Sequence, residues 1–294
     1  MLIPDEVRKC VAFLLYKDNT GFKFAGTCFF VATPLSSDPK KINFMYVVTA
    51  AHVINHIRER GADGKVYIRV NFRDSTVKLM PSSVGDWLTH PNDPTVDVAV
   101  LASGITTDVD YRVYPLDRFA TEDIITREAI GLGEEVFIVG LFHEHFGKRK
   151  NIPIVRVGNI AAMPEEPVEV QGIGAMEAYL VEARSLGGLS GSPVFVNLGI
   201  VRHVSGQVKF ASESTGIFYL LGLMHGHWER KIPKEVTSDG VQMETVNIGI
   251  AVVVPAKKIL EVIDQPILAE RRRKIEQDAG QTHPANSGIK DRTC

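Results

Sequence analysis

As far as residue 254, the hydrophobic positions of this chain fall into short runs rich in β-branched and aromatic residues, separated by Gly, Pro, Asp and Asn. On that pattern Lys9–Lys17, Phe22–Ala32, Phe44–Thr49, Lys65–Phe72 and Val96–Leu101 are predicted strands. A second set covers Glu135–Phe142, Ile152–Ala161, Ala178–Ala183, Ser192–Val196, Ile217–His225 and Glu244–Val253. Two sets of about six strands fit an all-β fold of two packed six-stranded antiparallel β-barrels, the first over residues 1–120 and the second over 121–254. Helical spacing is confined to two places. A short helix is expected after His52, through Ile54, Asn55 and Ile57. After Pro255, Ala256, Ile259, Leu260, Val262 and Ile263 recur with helical period, and the pattern continues past Pro266 to Ile275. Residues 255–278 are therefore the expected C-terminal helix, and 279–294 read as a flexible tail. Residues 201–216 and 229–245 read as long polar connections beside the second set of strands.

Three segments carry chemistry. Gly188-Leu189-Ser190-Gly191-Ser192-Pro193 sets a serine between glycines and ahead of a proline; Thr49-Ala50-Ala51-His52 follows the apolar run Phe44–Val48; Val96–Leu101 places Asp97 at the mouth of a buried strand. A serine hydroxyl is a poor nucleophile until an imidazole takes its proton, and the imidazole needs a carboxylate to fix its tautomer. His52 is the candidate base, Asp97 the orienting anion and Ser190 the nucleophile. Gly188 can adopt backbone conformations closed to residues with a Cβ, which lets its N–H and that of Ser190 point at an oxyanion. Each residue also has a plainer reading. Serine is common in glycine-rich turns, His52 could simply open a helix, Asp97 could end a strand, and Asp93 and Asp110 compete for its role. What favours the joint reading is the chain order His, Asp, Ser. An α/β-hydrolase runs Ser, Asp, His around a G-x-S-x-G elbow, which Ser192 breaks, and a subtilisin runs Asp, His, Ser.

In these motifs the chain resembles the trypsin-like, chymotrypsin-fold serine proteases, closest in flavour to the bacterial glutamyl-endopeptidase and heat-shock protease branches. The resemblance spans residues 9–265, since Gly26–Val31 is similar to the strand before the histidine and Asn247–Pro255 to the last barrel strand. It implies a cleft between two barrels, an acyl-enzyme on Ser190, an oxyanion hole from Gly188 and Ser190, a polypeptide substrate and no cofactor. It also places Arg184 at the base of the primary specificity pocket, with His225, Gly226 and His227 in the wall. A cationic base with a histidine wall would favour acidic side chains and repel Lys and Arg, although Arg184 could instead face solvent or pair with Glu182. One departure matters. Trypsin-like zymogens carry an aspartate just before the serine, and here that position is Leu189, which cannot hold a new N-terminal ammonium. The loop is then either preformed or ordered by substrate or an activating protein partner. The rival readings are a protease-fold sensor that is active only with such a partner, and an esterase using the same residues.

Composition narrows the rest. The chain has 294 residues, 45% hydrophobic and 23% charged, enough to bury a substantial core. Its net charge of −2 speaks against general affinity for nucleic acid or an anionic membrane, and no run reaches the ~18–20 apolar residues that span a bilayer. The basic runs Lys148–Lys150 and Arg271–Lys274 lack aromatic interleaving and read as solvated faces. Three cysteines, Cys10, Cys28 and Cys294, form no close framework, Val53 stands where secreted relatives carry a disulfide cysteine, and the start lacks a signal-peptide pattern. These features lead us to expect a cytoplasmic protein, with Cys28 a small buried side chain. His143-Glu144-His145 and His225-Gly226-His227 put paired imidazoles on alternate faces of an extended chain, with no third ligand in sequence, so no metal site is expected.

Overall fold

The computed structural model describes residues 3–34, 43–183, 188–204, 206–210, 217–237 and 240–281. The first half runs α1 (Asp5–Lys9), β1 (Val11–Asp18), β2 (Gly21–Pro34), β3 (Asn43–Thr49), α2 (Ala51–Arg60), β4 (Lys65–Asn71), β5 (Val77–Ser83), β6 (Leu88–Thr89), β7 (Ala99–Ala102) and β8 (Tyr114–Pro115). Its strands hydrogen-bond in the order β5-β4-β1-β2-β3-β7-β6, with β8 parallel to β2. The second half runs α3 (Glu122–Arg127), β9 (Glu135–Gly140), β10 (Ile154–Ala162), β11 (Val168–Val170), β12 (Gly174–Met176), β13 (Tyr179–Glu182), β14 (Pro193–Asn197), β15 (Val201–Val204), β16 (Gln207–Phe210), β17 (Phe218–Thr237), β18 (Gly240–Pro255), α4 (Ala256–Ile263) and α5 (Pro266–Gln281). Here β10-β13-β18-β17-β14-β9 close into a six-stranded antiparallel barrel. The fold is all-β, with helices at its C-terminal end.

The unbroken apolar runs of the second half follow from burial on both faces. Successive side chains of a strand point to opposite sides, and the two sides here meet different cores. Val136, Ile138, Val194, Val196, Ala251 and Val253 join the barrel interior with Tyr179, Val181 and Leu221. Their neighbours Phe137, Val139, Phe195, Val252 and Val254 join a larger cluster that includes Phe13, Leu14, Phe29, Tyr46 and Val47 of the first half. One hydrophobic core therefore continues from sheet to barrel. Aromatic rings mark the seam: Tyr114 meets Phe195 at 5.0 Å between centroids, and its hydroxyl donates to the Phe218 carbonyl at 2.9 Å.

Several elements depart from the sequence-based expectations in instructive ways. Val96–Val98 are not in the strand expected to begin there; β7 starts at Ala99, because Asp97 is turned toward α2. In the connection over 229–245, residues 229–237 and 240–245 belong to paired strands, as β17 and β18 overshoot the barrel and continue pairing to Thr237 and Gly240. The C-terminal helix divides at Pro266, which opens α5, as a residue with no backbone N–H to donate is best placed at a helix start. Of the expected tail, 279–281 end α5 and residues 282–294 lie outside those described. Cys10 and Cys28 are free and buried, and burial pushes the Cys10 thiol up to about 12, so both side chains behave as small apolar residues. No helix among the described residues is long and apolar enough to cross a membrane.

Candidate active site

His52 is the second residue of α2. The residue before that helix, Ala50, has no side chain able to cap it, and the missing acceptor arrives from elsewhere in the chain. Asp97 Oδ1 accepts the His52 backbone N–H at 2.8 Å, and Asp97 Oδ2 lies 2.7 Å from His52 Nδ1. A single carboxylate thus caps the helix, benefits from its positive end and fixes the ring. The Asp97 side chain is 3% exposed while that of His52 is 40% exposed, so the anion is hidden and the base is open to the cleft.

A third group shares that carboxylate. His225, in β17, places Nδ1 2.5 Å from the same Asp97 Oδ2, and its ring meets the His52 ring edge-on at 5.1 Å. Burial alone would raise the Asp97 pKa, but the hydrogen bonds from His225 and His52 outweigh it and hold the carboxyl well below the usual carboxylate range. With the carboxylate ionised, both Nδ1 atoms must be donors, which leaves Nε2 of each neutral ring as an acceptor. One ring nitrogen from each histidine and one Asp97 carboxylate oxygen, atoms able to ligate a metal ion, lie within 4.8 Å of one another. Ligands on one tetrahedral zinc ion, about 2.0–2.1 Å from it, stand about 3.3 Å apart; the 2.5 and 2.7 Å separations here are those of hydrogen bonds.

Ser190 arrives on the loop before β14. Gly188 has φ +97° and Gly191 φ +79°, conformations that side chains with a Cβ rarely adopt. Space excludes a Cβ at Gly191 as well, since it would lie 2.2 Å from Thr49 Oγ1 and 2.3 Å from the Thr27 carbonyl oxygen. Leu189, in the position of the zymogen aspartate, is buried in the barrel core, so apolar packing anchors the loop. Thr27 of β2 fastens it to the first half. Its N–H donates to the Ser190 carbonyl at 2.9 Å and its hydroxyl to the Gly188 carbonyl at 2.9 Å, while the hydroxyl also accepts Leu141 N–H at 2.9 Å. The Ser190 hydroxyl itself donates to the His225 carbonyl at 3.1 Å, and it makes no hydrogen bond to His52.

The structure thus brings together His52 and Asp97, with Ser190 joined to them through His225. It sends the two competing carboxylates elsewhere: Asp93 binds Thr95, and Asp110 binds Lys9. Of the expected pocket residues, Arg184 lies outside the described residues and the His225 ring is committed to Asp97. Gly226 faces open space, with no atom within 4 Å of a built Cβ, and His227 is half-buried beside it. Two contributors escaped the sequence reading. Thr27 lies in the Gly26–Val31 run, which gives no sign that its hydroxyl fastens the serine loop, and His143 gives no sign in sequence that its ring packs against Gly188, where a Cβ would lie 2.6 Å from Nε2. Burial lowers the pKa of His143.

No protein-family model matches the sequence, and no curated protein does. Among solved structures the chain is similar to the MamO protease domain from Magnetospirillum magneticum in its apo form, at 15% identity and TM-score 0.49, covering 87% of this chain and 96% of that one. It is also similar to Deg5, at 14% identity and TM-score 0.46 over 87% of this chain and 88% of that one. A third is the thermostable serine protease AL20 from an extremophilic microorganism, at 10% identity and TM-score 0.45 over 94% and 99%. The chemistry of the site stands on its own geometry.

Proposed function

We propose that the chain is a serine endopeptidase that hydrolyses polypeptide substrates through an acyl-enzyme on Ser190. The observation that carries this reading is the buried, ionised Asp97 holding His52 by Nδ1, beside a serine loop with Gly188 in a left-handed conformation. In the proposed reaction Ser190 Oγ leaves the His225 carbonyl by rotation about χ1, passes its proton to His52 Nε2 and attacks the scissile carbonyl. The N–H groups of Gly188 and Ser190 stabilise the oxyanion, and His52 then protonates the leaving amine. Water, deprotonated by His52, releases the acyl group. A fluorophosphonate probe tests the nucleophile: wild type should label and Ser190→Ala should not, and equal labelling of the two would overturn the assignment. Turnover of casein against a small ester separates the peptidase from an esterase.

The hydrogen bond from Ser190 to the His225 carbonyl also favours a second reading, a protease-fold sensor in which a protein partner must turn the serine toward His52. Labelling that appears only when a cellular partner is added would select it. For specificity we propose acidic residues on the acyl side of the cleaved bond, supported by Arg184 six positions before the nucleophile and by His227 on the strand beyond His225. Profiling a peptide library tests this, and predominant cutting after Lys or Arg would sink it.

A further inference from the structure

Outside the triad just described, the most informative group is His225. It touches both ends of the proposed machinery, its imidazole on Asp97 Oδ2 and its carbonyl on Ser190 Oγ. We propose that His225 is a positioning residue that makes Asp97 the shared counter-ion of two imidazoles, so that His52 and His225 titrate as one coupled unit and His225 holds down the basicity of His52. This rests on the reading of His52 as the catalytic base, but its test does not require catalysis.

The argument is electrostatic. Asp97 Oδ2 accepts from both rings, and any hydrogen bond that draws charge from the carboxylate leaves less to stabilise a proton on the other ring. If His225 takes a proton, the buried charge of Asp97 is already neutralised and His52 has no anion of its own. If His52 takes it, as the proposed acylation requires, His225 remains neutral and still donates. The titratable groups facing His225 are Asp97, on the segment before β7, and His52, on α2. From β18 its strand neighbours present Val252 and Val253, and among the described residues of the serine loop the neutral Ser190 touches it. Among the described residues the local balance is one negative charge for two bases, the condition under which protons bind in steps that belong to the pair.

Histidine-labelled protein followed by ¹⁵N NMR across pH tests the proposal with no substrate present. In wild type, both rings should show protonated Nδ1 at neutral pH and both should respond in two titration steps. His225→Ala should raise the midpoint of His52 by about one pH unit, because one opposite charge then serves one ring. His225→Asn, whose amide can donate from nearly the Nδ1 position but cannot take a proton, should return that midpoint toward wild type and reduce the two steps to one. If the alanine variant does not fold, the loss of one step in the asparagine variant carries the test. A His52 midpoint unmoved by alanine, or a single independent step in wild type, would overturn the proposal. Failure of wild type to take the fluorophosphonate speaks only to the catalytic reading and leaves these titrations intact.

Discussion

Asp97 shows how much one side chain can be asked to do. It supplies the cap that Ala50 cannot, it orients His52, and it remains ionised at 3% exposure because three donors surround it. Asp97→Asn keeps the shape but not the charge and permits the wrong imidazole tautomer, so labelling or turnover should fall by about 10⁴-fold. Its effect on stability has a definite sign. The folded pKa lies below the unfolded value of about 3.9, so the unfolded chain binds more protons as pH falls through that window. The stabilisation is present above the unfolded pKa and is lost as pH falls through the folded one. Urea midpoints of wild type should fall more steeply than those of Asp97→Asn once the pH drops below about 4; parallel curves there would refute the assigned ionisation. At this scale the sequence named His52, Asp97 and Ser190 as candidates because their order and flanking runs are visible in it. It could not show that the His225 ring turns back to Asp97, since a strand residue's partner across the cleft depends on tertiary placement.

Among the elements, β2 and the serine loop form the junction that matters, and Thr27 holds it. Thr27→Val keeps the volume but leaves the Gly188 carbonyl and Leu141 N–H without their partner. Each buried polar group so stranded costs about 1–3 kcal/mol. Unfolding by urea should register that loss, and probe labelling of Ser190 should slow; a variant unchanged in both would show that the loop is held without the Thr27 hydroxyl. Strand existence was readable from the β-branched runs, whereas strand ends were not. β7 begins later than its apolar pattern because Asp97 serves α2, and β17 and β18 continue beyond the barrel through residues whose polarity suggested loop. Backbone pairing needs no apolar side chains, so a polar run can still be a paired ribbon.

For the whole molecule, the C-terminal helices return to the first half. Gln265 Nε2 donates to the Thr89 carbonyl at 2.9 Å, and Arg272 Nη1 donates to the Tyr46 hydroxyl at 2.7 Å and the Ile263 carbonyl at 2.8 Å. Together with the core shared by Phe137, Phe195 and Leu220 with Phe13 and Phe29, these contacts make the sheet and the barrel one cooperative body. Calorimetry should find a single transition with equal calorimetric and van't Hoff enthalpies, and two resolved transitions would refute it. The apolar face that each half lends to the other also has a consequence for how the chain is made. While a ribosome is still delivering the barrel, the finished sheet carries an uncovered greasy flank, so the nascent protein is most exposed to aggregation just before β9 and β14 arrive to cover it.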